Sequence, residues 1–524
     1  PRPEVSLAGT FTWSNPLTGN MANGSCPTSW IDLLYWLRVA RTLDGDQPDR
    51  FYYALLPSGV PTGDTGGCGN PGGVGAGFVG GNGGTTIAHE LGHVLGFAHV
   101  FGNLPSDDNK WDRSYPVYEP YDSAAARTGT IGEYGFDLTT STVMSPTWST
   151  DFMGYGANPW ISPYHHRLMI EHPRLSPVWV PLPRGTLAPL DDEQVLTWPP
   201  VFPGPPEPPW GKWTEHVRPD ERESLFVVSG RLVGGEVQMQ HVLHLEAFTG
   251  IEGRVVPDLT VELLGPNREV LSQGKVHLLP TSACSDGCGG CAGGSDADAD
   301  SIVQAKVRDP GGEVEGSVSA IRVVKLGEEV WRREAPSRPP EVRGVEAGFD
   351  GEQLFIRWDA NAADDAAQVD RFVRWSGDDG RTWQVLAVGV DTDELTTSPA
   401  AMTSGPALVQ VMVSDGFHTV ISEPVRVEVP WRAPSVAILW PRSTAAITTS
   451  SPLRLWGVAT ASTGEALDGE RVTWEVDGER VAVGADQFAW LSLSPGEHRA
   501  VVRADDGQGE GSAEVVFTVH DPSD

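Results

Sequence analysis

The sequence predicts a multidomain protein in which a mixed α/β domain is followed by all-β sandwich domains. Three observations predict this fold class. Hydrophobic residues recur at helical spacing only within about the first 175 residues. A proline-rich stretch follows, and beyond it the chain consists of short alternating apolar and polar runs separated by Gly, Pro and Asp. At 524 residues the chain is too long for one core and should divide into about three or four domains.

The first region, residues 1–176, is expected to combine helices and strands. Apolar residues at helical spacing predict an amphipathic helix over residues 28–43, and "FYYALLP" after it has the composition of a strand. The glycine-dense segment 63–84 is predicted to be a loop, because so many glycines disfavour a regular helix. A second helix is expected over residues 86–97, and a third opens at "WISPYHH" with Pro163 in its first turn.

Three β-sandwich domains are expected to follow, over residues 177–337, 338–430 and 431–524. The last two resemble each other in how they open and close, which indicates a repeated module. Each carries a Trp in an apolar strand, Trp358 in "LFIRW" and Trp474 in "VTWEV". Immunoglobulin-type cores place a Trp in this way, so we expect immunoglobulin-like or fibronectin-like sandwiches.

Charge and hydropathy exclude two classes of partner. The chain has 37 Lys and Arg against 70 Asp and Glu, a formal net charge of -33, whereas binding to phosphates requires a basic surface. We therefore expect no nucleic-acid partner and read the acidity as a source of solubility. No apolar run approaches the roughly 18 to 20 residues of a membrane span, so no membrane insertion is expected. The chain begins at Pro1 without a leader, which suggests a mature or trimmed product.

The five cysteines fall into two groups. Cys26 and Cys68 lie in the first region and could form a disulfide if the chain is secreted. Cys284, Cys288 and Cys291 crowd into "CSDGCGGC". This cluster fits a local disulfide with one free thiol, or a metal held with one outside ligand.

The segment "HELGHVLGFAH" carries the strongest chemical pattern in the chain. His89 and His93 stand four residues apart, so on a helix both imidazoles face one ion. Gly96 can take a left-handed conformation and end the helix, which lets His99 reach the same ion from outside it. Three imidazoles leave a fourth position open, as in catalytic zinc sites, where the metal makes its bound water acidic. Glu90 lies beside the ion and is expected to act as general base and general acid.

The spacing H-E-x-x-H-x-x-G-x-x-H resembles the metzincin clan of zinc metallopeptidases. This resemblance implies a downstream Met-turn, whose Met packs beneath the zinc ligands. Met144 and Met153 are candidates, and Met153 is preferred because Tyr155 follows it two residues later. Astacin-like and serralysin-like enzymes carry a Tyr there, so the resemblance implies that Tyr155 helps to stabilise the oxyanion. The alternative is that Tyr155 is an ordinary core residue.

The resemblance covers roughly residues 85–170 and looks like large secreted bacterial metallopeptidases in which β-sandwich modules follow the catalytic domain. It implies a secreted, extracellular enzyme acting on protein or glycoprotein substrates. Two features depart from it. Val100, after the third His, matches none of the residues that identify the well-known branches, and no pro-segment with an inhibitory Cys is recognisable. The strand "FYYALLP" is expected to border the cleft and to pair with an extended substrate.

Weaker signals point elsewhere. "SGDDGRTW", residues 376–383, fits the Asp-box of sialidase propellers, but a single copy is expected to be a self-satisfied hairpin turn. "SDADADS", residues 295–301, could bind Ca²⁺ or be a solvated acidic loop. His165 and His166 are expected in the first turn of the third helix, and His241 and His244 in a structural β run.

These observations lead to one main hypothesis and two alternatives. The chain is expected to be a secreted zinc endopeptidase whose β modules position substrate or anchor the enzyme to a surface or glycan. The main alternative is a surface or glycan-binding adhesin with a vestigial zinc domain, which the presence of Glu90 disfavours. A glycosidase built around the Asp-box is the second alternative.

Overall fold

A computed structural model provides the fold of the chain. It describes residues 17, 26–45, 50–57, 65–70, 72–78, 83–101, 112–123, 127–137, 142–154, 156, 158–172, 175, 222–233, 236–250, 253–279, 282–285, 301–311, 318–361, 369–443, 446–448 and 452–521. Within these residues, no helix combines the length and the apolar character needed to cross a lipid bilayer.

Within its described residues, the N-terminal region contains three helices and five short strands. In chain order they are α1 (Thr28–Leu43), β1 (Tyr52–Leu56), β2 (Thr65–Asn70), β3 (Val74–Phe78), α2 (Gly83–Val94), β4 (Gly135–Asp137), β5 (Thr142–Met144) and α3 (Pro163–Glu171). The predictions of α1, β1 and α3 are confirmed, and α3 begins at Pro163 with Ser162 as its N-cap. The prediction of a loop over residues 63–84 is wrong, because β2, β3 and the start of α2 lie there.

Strands β1 to β3 form the sheet on which α2 packs. Strand β3 pairs in parallel with β1 and antiparallel with β2, so β3 is central. A fourth strand, β10 (Ser282–Ser285), comes from far along the chain and pairs antiparallel with β2, giving the order β1-β3-β2-β10. Helix α2 lies over β3, β2 and β10.

The strands that the structure describes in the second region form one continuous antiparallel sheet of seven strands rather than two separate sheets. Its strands are β6 (Arg222–Val233), β7 (Glu236–Phe248), β8 (Arg254–Leu264), β9 (Val270–Leu279), β11 (Ser301–Arg308), β12 (Ala320–Lys325) and β13 (Glu328–Glu334). They are ordered β13-β12-β8-β9-β11-β6-β7. Alternating apolar side chains such as Phe226, Val228 and Val261 form a buried core of this region.

Helix α1 joins the first two regions. Its apolar residues Trp30, Leu33 and Leu34 are buried in a cluster that also contains Leu225 of β6 and Ile302 of β11. Polar contacts cross the same interface: the Arg38 guanidinium donates to Gln304 Oε1 at 2.8 Å, and Arg231 pairs with Asp32 at 2.6 Å. The regions predicted as separate domains on either side of residue 176 therefore share one core.

The last two regions are β-sandwiches of similar design, each with a three-stranded and a five-stranded sheet. The third region contains β14 (Glu341–Asp350), β15 (Gln353–Asn361), β16 (Asp370–Ser376), β17 (Gln384–Ala387), β18 (Glu394–Thr397), β19 (Gly405–Ser414), β20 (Thr419–Ile421) and β21 (Val425–Val429). The fourth contains β22 (Ser435–Trp440), β23 (Ala446–Thr448), β24 (Leu453–Thr460), β25 (Val472–Val476), β26 (Glu479–Val483), β27 (Asp486–Ala489), β28 (Gly496–Asp505) and β29 (Glu510–His520). Trp358 and Trp474 are buried in the two cores, as predicted.

Candidate functional site

Three histidines converge at the end of α2. The Nε2 atoms of His89 and His93 lie 3.1 Å apart, those of His93 and His99 2.9 Å apart, and those of His99 and His89 3.1 Å apart. All three side chains are buried. Among the residues that the structure describes, this is the only group of three or more potential ligands close enough to share a metal ion.

The local sequence explains how the three rings meet. His89 and His93 lie one turn apart on α2, and the helix ends immediately after Val94. Gly96 has a φ of 86°, in the left-handed region that glycine adopts without strain, and its amide donates to the His93 carbonyl at 2.8 Å. The chain then turns back, so that His99 approaches from outside the helix.

Hydrogen bonds determine which nitrogen carries the proton in two of the three rings. His89 Nδ1 contacts the Phe152 carbonyl at 2.8 Å, and His93 Nδ1 contacts the Phe97 carbonyl at 2.9 Å. A carbonyl oxygen only accepts, so both Nδ1 atoms donate and the Nε2 lone pairs point at one another. Burial lowers the pKa of His89 to about 4 and also lowers the pKa values of His93 and His99. The rings are therefore neutral at neutral pH, and this donor set fits a divalent cation such as Zn²⁺.

A tight turn lies beneath the histidines. The Gly154 amide donates to the Asp151 carbonyl at 2.8 Å, which closes the turn around Phe152 and Met153. Met153 is fully buried and its carbonyl accepts from the Val100 amide at 3.1 Å. The structure thus brings Met153 next to the ligand helix and the chain segment after His99. Met144 instead ends strand β5, where it is half-buried.

Gly92 provides the space for Met153. A Cβ atom on Gly92 would lie 2.2 Å from Met153 Sδ and 3.1 Å from Phe152 Cε2. We expect Gly92→Ala to destabilise the protein by about 1–3 kcal/mol, because the core must expand around the added methyl group. Urea unfolding followed by Trp fluorescence would measure this change. Gly84→Ala on the same helix is the control, since its Cβ would meet nothing within 4 Å, and equal effects at the two positions would contradict the prediction.

A buried hydrogen-bond network around Asp151, which the sequence pattern did not reveal, supports this turn. Asp151 Oδ1 accepts from His165 Nδ1 at 2.8 Å and from the Met153 amide at 2.9 Å, while Oδ2 accepts from the Ser162 amide at 3.0 Å. Both Asp151 and His165 are fully buried. His165 lies in the first turn of α3 as predicted, but it faces the turn, whereas His166 is exposed. Two features of the sequence could have indicated this contact: the aspartate two residues before Met153 and the Ser-Pro pair at the start of α3.

Glu90 faces the sheet rather than solvent, and strand β2 is the strand beside it. Glu90 is fully buried, and a Cβ atom on Gly67 would lie 2.8 Å from its Oε1. A Cβ atom on Gly69 would lie 2.7 Å from the Glu90 carbonyl oxygen. The glycines of β2 thus allow α2 to approach closely. The expectation that "FYYALLP" borders the site is wrong, since that strand is β1, at the opposite edge of the sheet.

Cys26 and Cys68 form a disulfide, with their Cα atoms 6.1 Å apart. This bridge ties the start of α1 to β2. Cys284 belongs to β10, at the position opposite Gly67. Tyr155, Cys288, Cys291 and the acidic residues 295–300 lie outside the described residues, so their predicted roles stay predictions.

The Asp-box forms the hairpin between β16 and β17. Asp378 accepts from the Ser376 hydroxyl at 2.7 Å, from the Thr382 amide at 2.9 Å and from the Thr382 hydroxyl at 2.7 Å. The bonds from Thr382 and Ser376 lower the pKa of Asp378 to about 2. The polar side chains of the motif hydrogen-bond to one another and to its own backbone, as expected for a hairpin turn.

His241 and His244 also have structural surroundings. His241 Nδ1 contacts Asp370 at 3.1 Å, and His244 Nε2 contacts Asp309 at 3.0 Å. The His244 ring stacks on Phe226 with 4.2 Å between the ring centroids. Both histidines connect β7 to neighbouring elements, as the sequence predicted.

Comparisons with known proteins leave the family open. No protein-family model matches the chain, and a search of curated proteins finds no relative. Fibronectin(III)-like modules of Clostridium thermocellum CbhA are 19% identical and match 35% of this chain and 96% of theirs, with a TM-score of 0.15. Extracellular domains 3-5 of Drosophila OTK are 16% identical and match 36% of this chain and 67% of theirs, with a TM-score of 0.24. The FN1-FN3 domains of chicken CNTN1 are 13% identical and match 57% of this chain and 96% of theirs, with a TM-score of 0.16. At such low TM-scores these similarities carry no argument about function.

Proposed function

We propose that the chain is a secreted zinc endopeptidase that hydrolyses peptide bonds of protein or glycoprotein substrates. The observation that carries the proposal is the convergence of three neutral imidazole Nε2 atoms within 3.1 Å of one another. The Nε2 lone pairs of His89 and His93 face each other and the Nε2 atom of His99, an arrangement that a shared cation stabilises. Glu90, next to the first of these histidines, supplies the carboxylate that peptide hydrolysis also requires.

His89, His93 and His99 would hold the zinc ion. When bound, zinc acidifies a water molecule and polarises the scissile carbonyl. The Glu90 carboxylate accepts the proton of the attacking water and delivers it to the nitrogen of the leaving amine. The Tyr155 hydroxyl donates a hydrogen bond to the developing oxyanion, as the resemblance to metzincins implies.

Secretion is supported by the Cys26–Cys68 disulfide, because such bonds form and persist in oxidising compartments. The net charge of -33 remains unfavourable for binding nucleic acid. We assign the β modules to substrate positioning or to anchoring on a surface or glycan. Large exposed aromatic side chains on the fourth region support this role, since Trp490 is 79% and Phe488 66% exposed.

Metal analysis combined with hydrolysis of casein and of a mucin-type glycoprotein tests the proposal. The purified full chain is expected to bind one zinc ion, to lose hydrolysis on chelation and to regain it when zinc is restored. A chain that retains zinc but cleaves no protein would instead support an adhesin with a vestigial metal domain. Hydrolysis of a sialoside that survives loss of the Glu90 carboxylate would support a glycosidase.

A further inference from the structure

Strand β2 is paired on both sides, although only one of its partners belongs to the N-terminal region. Its second partner is β10, with Ser282 opposite Gly69, Ala283 opposite Cys68 and Cys284 opposite Gly67. Without β10, β2 would be an edge strand with a row of unpaired backbone amides and carbonyls. The chain therefore covers this edge with a segment that lies about 200 residues downstream.

The covered edge is next to the candidate site. A Cβ atom on Gly67 or Gly69 would collide with Glu90, and one on Gly69 would also lie 2.9 Å from His93 Cβ. An extended peptide binds a protein by adding a strand to a free sheet edge, where backbone hydrogen bonds supply affinity without requiring particular side chains. In the described residues, the edge of β2 beside Glu90 is thus covered, and β10 is the outermost strand on this side of the sheet.

A buried hydrogen bond places the start of β10 beside β2. The Asn70 side-chain amide, at the end of β2, donates to the Leu279 carbonyl at 3.0 Å, and both residues are buried. Leu279 ends β9, and β10 begins three residues later at Ser282. The short connection keeps β10 at a high effective concentration beside β2, although the strand itself has only four residues.

We propose that Ser282–Ser285 is a built-in competitor that occupies the substrate-binding edge of β2 and keeps the site latent. A substrate peptide must displace β10 before it pairs with β2 beside Glu90. This inference rests on the proposed peptidase function. Strand β10 and the substrate cannot occupy the edge of β2 at the same time, so only molecules with a free edge bind substrate. The apparent KM is therefore the intrinsic KM divided by the fraction of such molecules. If β10 is docked in about 99% of molecules, the apparent KM rises about a hundredfold.

The double substitution S282P/A283P tests the proposal. Neighbouring amides on a strand point to opposite sides, so one of the two prolines removes a donor that faces β2. We expect kcat/KM for casein to rise at least about tenfold, mainly through a lower KM. Ser282→Ala keeps every backbone donor and should leave kcat/KM unchanged. A kcat/KM within about twofold of wild type in the double variant would overturn the proposal.

Amide hydrogen exchange provides a readout that does not depend on activity or on metal. Residues 65–70 should exchange faster in the double variant, while residues 74–78 in the central strand β3 stay protected and report an intact fold. Unchanged exchange over residues 65–70 would mean that β10 does not cover the edge, which also overturns the proposal. The two proposals fail differently. If exchange increases but neither the wild type nor the double variant hydrolyses casein with zinc, the proposed peptidase function is wrong. In that case β10 still covers the edge of β2, but it has no inhibitory role.

Discussion

Glu90→Gln is expected to reduce kcat/KM for casein by about 10²- to 10⁴-fold while leaving zinc bound. Gln has nearly the same shape as Glu, so it fits the space against Gly67 and Gly69 that the close packing of α2 on β2 leaves. The Gln side chain, however, cannot accept and return a proton near neutral pH. The three imidazole ligands are unchanged, so the zinc content should equal that of wild type.

Steady-state kinetics and metal analysis on the same preparation would check this prediction. Glu133→Gln is the matched control, because Glu133 is an exposed glutamate of the same region and should have no effect. Retention of more than about a tenth of the wild-type activity by the Glu90 variant would contradict the assignment of general base to Glu90.

Asp151→Asn is expected to weaken zinc binding by about 10- to 100-fold and to destabilise the protein by about 1–3 kcal/mol. Asp151 accepts three hydrogen bonds, two at Oδ1 and one at Oδ2, and Asn has only one oxygen. Its NH₂ group must face at least one of the donors. The turn that holds the Phe152 carbonyl would shift, and that carbonyl orients His89.

Competition with a chromogenic chelator would measure the zinc affinity, at a temperature well below the melting transition. Asp379→Asn is a suitable control, since Asp379 lies in the exposed Asp-box turn and pairs only with exposed Arg426 in the described contacts. His165→Gln keeps a donor toward Asp151 and should lose less affinity than His165→Leu. A zinc affinity of Asp151→Asn within about twofold of wild type would show that the hydrogen bonds of Asp151 do not position the ligand.

Local patterns predicted the parts of the structure that depend on neighbouring residues. The apolar spacing in α1, the Pro163 start of α3 and the offsets of His89, His93 and His99 are all encoded within one or two helical turns. The burial of Trp358 and Trp474 followed from their place in alternating strands.

The remaining features depend on contacts that a local pattern does not contain. Glycines normally weaken strands, so the glycine-dense segment that contains β2 predicts a loop. The close approach of α2, which a Cβ atom on Gly67 or Gly69 would block, is visible only in the folded structure. The pairing of β10 with β2 joins two short segments more than 200 residues apart. The contact of Asp151 with His165 likewise requires the turn and α3 to be packed already.

Helix α1 links the histidine-bearing region to the seven-stranded sheet. One side of this helix supports the sheet beneath the histidines, and another side is covered by β7 and β11 and by β17 of the third region. Removing either neighbour would expose the apolar side chains around Trp30 to water. We therefore expect the histidine-bearing region and the seven-stranded sheet to unfold together. The sheet is thus part of the structural unit that carries the site rather than an appendage to it.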